Sequence, residues 1–114
     1  MGDRLGRPWP LAVADLSEWA HAEPGQGIAY YLLAKNFYVQ GYHERASSNL
    51  DRAFSRALSP ASVEREAWRL RVFSACALGD RPSARRAYAA LAADPDLGLA
   101  RRRSLARFAG RCGI

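Results

Sequence analysis

Lysine is almost missing from this chain, which carries one lysine against sixteen arginines. Long apolar runs are missing too. The longest stretch without a charged residue runs from Pro24 to Ala34 and is broken by Gly25 and Gly27, so no segment can span a bilayer. The run Leu11 to Ala14, after Arg4 and Arg7, is too short for a secretory core, and the chain is expected in the cytoplasm, or in the periplasm if cut from a longer exported protein. The two cysteines, Cys76 and Cys112, show neither a CxxC motif nor a paired spacing and are expected as free thiols. The two histidines, His21 and His43, have no second ligand at i+4 and no nearby cysteine, which argues against a metal site.

Catalytic constellations are scarce. Ser47, Ser48, Ser55, Ser74 and Ser104 fall inside helical patterns, away from the strand-turn-helix setting that exposes a nucleophile. Gly25-Gln26-Gly27 has neither the preceding strand nor the lysine of a phosphate loop. Glu64 and Glu66 stand two apart in a helical stretch and point away from each other. No enzyme activity and no cofactor are expected.

What is present is helix. Alanine occurs 22 times, apolar residues make up 49% of the chain, and no five-residue stretch alternates as a strand. The patterns predict an all-α fold of a single domain with an N-terminal helix over 10–22 and further helices over about 27–40, 43–58, 60–78, 81–93 and 97–109. The first helix groups Ala12, Leu16, Trp19 and Ala20 on one face; the second groups Tyr30, Leu33, Ala34 and Phe37. Gly41, Gly79 and Gly110 are expected to close the second, fourth and sixth helices. Ser59 with Pro60 is expected to open the fourth, and Asp80 to cap the fifth.

Shifting Gly41 onto Gly79, by 38 residues, aligns Tyr30 with Trp68, Ala34 with Val72, Ala46 with Ala84, Leu50 with Tyr88 and Ala53 with Leu91. With these residues the chain, over about 28–96, resembles the tetratricopeptide repeat family. It departs from that family in its longer period, in Arg71 where the family has leucine, and in the displaced prolines Pro60 and Pro95. The resemblance implies antiparallel helix pairs stacked as a short solenoid, with repeats over 27–58 and 60–93 between terminal capping helices.

The family resemblance further implies a concave groove lined by the first helix of each pair. Carried over, the inward positions are Ile28, Tyr31, Lys35 and Tyr38, then Glu66, Arg69, Phe73 and Cys76. Tyr31, Lys35, Tyr38, Arg69 and Phe73 therefore form the candidate partner-binding set, suited to a peptide or partner helix, as in an adaptor or small chaperone. A competing reading packs Tyr31, Tyr38 and Phe73 beneath a terminal helix. The family's two-carboxylate clamp is not reproduced, because Lys35, Tyr31 and Leu70 replace its asparagine, lysine and asparagine.

Charge is uneven along the chain. Residues 1–97 hold 12 basic and 11 acidic side chains, whereas 98–114 hold five arginines and no acid. On a helix Arg103, Arg107 and Arg111 form one stripe opposite Leu97, Leu105 and Phe108. That stripe is a second candidate site, for nucleic acid or another acidic surface, or else the polar outer face of a capping helix. Self-association through the open solenoid ends is a third reading.

Overall fold

A computed structural model describes residues 9–114, with side chains from residue 14 onward. Arg4, Arg7, Leu11 and the expected apolar position Ala12 lie outside the described side chains. Among the described residues there are six helices and no strand: α1 (Trp9–Ala22), α2 (Ile28–Val39), α3 (His43–Phe54), α4 (Ala61–Leu78), α5 (Arg81–Ala92) and α6 (Leu99–Cys112). Short turns join α2 to α3 and α4 to α5, and each pair packs along its length. Helix α1 lies on α2, and α3 lies against α4.

Three helices end in the same way. Gly41, Gly79 and Gly113 each adopt positive φ, at 87°, 75° and 85°, where only glycine is free of the Cβ penalty. After each, the next amide reaches back five residues: Tyr42 N donates to Phe37 O, Asp80 N to Ala75 O, and Ile114 N to Ala109 O. This double-back closure satisfies carbonyls that α2, α4 and α6 would leave open. The last helix therefore ends at Cys112 and is closed by Gly113, with Gly110 inside it, three residues beyond the expected stop. It also starts later, at Leu99, because Asp96 N donates to Asp94 Oδ1 and Leu97 N to Asp94 O, holding 94–97 as a turn.

Asp80 caps α5 as expected, with its carboxylate accepting from Ser83 N at 3.3 Å. At α4 Pro60 stands just outside the helix in extended conformation, one position earlier than expected. Helix α3 stops at Phe54, short of Leu58, because the next residues pair with the loop ahead of α2. Gly27 N donates to Ala57 O at 2.7 Å and Ala57 N to Gly25 O at 3.3 Å. The approach leaves no room at Gly27, where a Cβ would lie 2.6 Å from Ala53 O.

The core has two halves sharing α4. Tyr31, Ala34, Leu50, Ala53, Ala67 and Leu70 form one; Val72, Ala87, Leu91, Leu97 and Leu105 form the other. Ala34, Ala46, Ala53, Ala84 and Ala87 have no exposed surface, so much of the alanine excess lets helix backbones approach closely. Leu50 and Leu91 are the largest apolar plugs, and truncating either to alanine costs about 2–5 kcal/mol. Trp68 stacks on Phe54 with ring centroids 4.0 Å apart, locking α4 onto α3.

The two cysteines require a correction. Cys76 and Cys112 are joined as a disulfide, with Cα atoms 6.0 Å apart, and no described cysteine is free. They are 36 residues apart in sequence, and only the packing of α6 beside α4 brings them together. Among the described residues no helix is long and apolar enough to cross a membrane.

Candidate functional site

Helices α4 and α6 run in the same direction, because their contacts advance in step: Glu66 with Arg101, Phe73 with Phe108, Cys76 with Cys112. Helix α2 continues the layer in the same direction, with Tyr31 within electrostatic reach of Glu66 and Tyr38 on Phe73. The result is an aromatic ladder across three helices. Tyr38 and Phe73 are stacked with centroids 6.3 Å apart, Phe73 and Phe108 meet edge to face at 4.7 Å, and His43 adds a ring 5.2 Å from Tyr38. The three rungs recur every 35 residues, a period set by contacts rather than by the glycine alignment.

A cleft of about 280 Å³ opens beside this ladder, between α4 and α6. Phe73, Phe108, Leu91, Leu97 and Leu105 line its apolar part; Arg65, Arg69, Arg101 and Arg111 and the single acid Glu66 supply its charge. Arg65 is committed elsewhere, donating from Nε to Asp94 Oδ2 at 2.6 Å. That hydrogen bond, helped by the Asp96 amide, holds the Asp94 carboxyl below its ordinary range and raises the Arg65 guanidinium further above its own. Arg69 and Arg101 flank Glu66, donating to its two carboxylate oxygens at 3.4 and 3.2 Å. Arg69 also lies over Phe73, 5.0 Å from the centroid, and Arg111 over Phe108 at 5.9 Å. Among the described residues Arg111 has no acidic partner within ion-pair distance. Three available cations against one carboxylate leave the cleft positive.

The expected site residues are divided by this geometry. Arg69 and Phe73 line the cleft, and Tyr38 packs at its edge on Phe73. Lys35 is exposed on the same helix as Tyr38. Tyr31 does not offer a surface. It is 9% exposed within the α2–α4 core, and its phenol is pushed up, by burial first and Glu66 second, with Arg69 opposing. Of the residues that the competing reading packs beneath a terminal helix, Phe73 lies against α6 through Phe108, whereas Tyr31 is buried against α3 and α4.

The arginine stripe is divided too. Arg111 turns to the cleft while Arg103 and Arg107 stand exposed outside it. Arg102, just ahead of the stripe, is structural: it donates to Leu97 O, Ala92 O and Asp94 O at 3.0, 2.9 and 2.5 Å, binding α6 to the end of α5.

No family model, curated protein or solved structure matches this chain. Among the described residues, no three His, Cys, Asp or Glu side chains gather as metal ligands. His21 is exposed with Nδ1 2.9 Å from Ser17 O. Phe108 and Arg101 are the site residues that sequence reasoning missed. The recurrence of aromatics at positions 38, 73 and 108 was the available signal.

Proposed function

We propose that this chain is a helical-repeat, tetratricopeptide-like binding module with no reaction of its own, which docks a segment of another protein against the layer of α2, α4 and α6. The aromatic ladder edged by Arg69, Arg101 and Arg111 carries this reading. Aromatic rings contribute large contact area at small entropic cost, and the cationic edge selects carboxylates. The favoured segment therefore pairs an apolar or aromatic anchor with acidic neighbours. An adaptor or chaperone role would follow from such docking.

Selection from an unbiased peptide-display library against the full chain tests the proposal. Enriched peptides should lose at least about tenfold in affinity, some 1.4 kcal/mol, when Arg69 and Arg101 become Gln. Their binding should survive Arg103→Gln and Arg107→Gln. Failure to enrich any peptide whose binding depends on the cleft would defeat the reading. Arg103 and Arg107 have no acidic partner among the described residues, which keeps nucleic acid as the rival. Oligonucleotide binding lost in those two variants would favour it.

A further inference from the structure

The disulfide joins the two walls of the cleft at one end. Cys76 lies in the last turn of α4 and Cys112 in the last turn of α6, both half-buried and so within reach of a small thiol. The opposite end of α6 is held differently. There Arg102 ties the helix to three backbone carbonyls, and Leu97 is buried in the core just ahead of Gly98. Between the two ends, Leu105 and Ala109 are buried and Phe108 packs on Phe73. The last turn itself contains Gly110, Arg111 and Cys112, of which Gly110 and Arg111 are exposed. Beyond it, only Ile114 adds an apolar contact. Helix α6 is thus a wall anchored at its start and pinned at its end chiefly by one covalent bond.

We propose that the Cys76–Cys112 bond is a thiol-operated latch on the cleft. The inference rests on reading the cleft as a binding site and supplies its regulation. A dithiol reductant opens the latch by exchange. Its first thiolate attacks one sulfur and displaces the other as a cysteine thiolate; its second thiolate then releases the remaining cysteine. Two electrons and two protons pass from the reductant to the cysteine pair, and the reductant leaves as a cyclic disulfide. A disulfide-bearing oxidant reverses the sequence. With the bond gone, the end of α6 is no longer confined across the 36-residue loop. The wall then swings about its Arg102 end, parting Phe108 from Phe73.

The full chain, oxidised and then treated with dithiothreitol, provides the test alongside Cys112→Ser and Cys76→Ala. Amide hydrogen exchange across 106–114 should quicken at least about tenfold on reduction and in both variants, while α2 to α5 change little. A display-selected peptide, labelled for anisotropy, should change its affinity at least about threefold, about 0.65 kcal/mol, and recover it on reoxidation. Two alkylatable thiols in the air-oxidised protein, or equal exchange in both redox forms, would overturn the latch. Faster exchange with unchanged peptide affinity would overturn its control of binding and leave the binding reading standing. If no peptide binds either form, the binding reading falls and exchange alone decides the latch.

Discussion

Arg71 on α4 donates to the carboxylate of Asp51 on α3 and, at 3.0 Å, to Ser47 Oγ. Arg71 is 9% exposed and its guanidinium lies over Phe54, so a charge occupies the position where the family resemblance calls for leucine. Asp51 keeps 70% of its side chain in water and stays solvated without its partner. Arg71→Leu should therefore leave the melting temperature nearly unchanged. Arg71→Ala, which empties the same space, should cost about 1–3 kcal/mol. Calorimetric melts of the two variants check the contrast, and equal losses would show that the ion pair itself stabilises.

Gly27→Ala should destabilise by about 1–3 kcal/mol, because its methyl group would meet the backbone carbonyls of Ala53 and Ala57, which cannot move aside as the Leu58 side chain can. Gly25→Ala, where nothing lies within 4 Å, serves as the control. Urea titrations of both should separate them.

Stability should fall at both ends of the pH scale, for different groups. Asp80 and Asp94 have folded pKa values below the ordinary carboxylate range, Asp80 through its hydrogen bonds with Ser83 and Asp94 chiefly through Arg65. The unfolded chain protonates first, so their contribution is present above pH of about 4 and is lost as pH falls through the folded values. Asp94→Asn should flatten this acid limb. Tyr31 is raised, so its contribution is complete below pH of about 10 and lost as pH rises further. Tyr31→Phe should flatten the alkaline limb. Phenolate absorbance should show one tyrosine ionising late.

Arg102→Gln should loosen the start of α6 while sparing the disulfide, since it removes donors to three carbonyls that have α5 and its following turn behind them. Faster exchange confined to about 97–104 would be the signature. An unchanged exchange pattern would mean that Leu97 and Leu105 alone hold that end.

Local chemistry carried much of the fold into the sequence. The glycines after α2 and α4, the Asp80 cap and the apolar periodicities act within a few residues and are readable there. Contacts across long separations are not. The bond between Cys76 and Cys112, the pairing of Ala57 with Gly25 and Gly27, and the Arg71–Asp51 contact each depend on a neighbouring helix. The site divides along the same line. Arg69 and Phe73 come from the family resemblance and share one face of one helix, whereas Phe108 and Arg101 join them only once α6 is laid beside α4. Tyr31 has the same spacing as its neighbours yet faces the core, because periodicity gives a face without saying what covers it.

The shared direction of α2, α4 and α6 also makes their layer electrically lopsided. Three amino ends gather along one margin and three carboxyl ends, closed by Gly41, Gly79 and Gly113, along the other. Each helix presents about half a positive charge at its amino end and half a negative one at its carboxyl end. A segment with its acidic residues gathered at one end, laid along these axes, would have one direction in which that end meets the positive margin and one in which it meets the negative margin. For any such segment the backbone would favour one orientation over the other, before any side chain contributes.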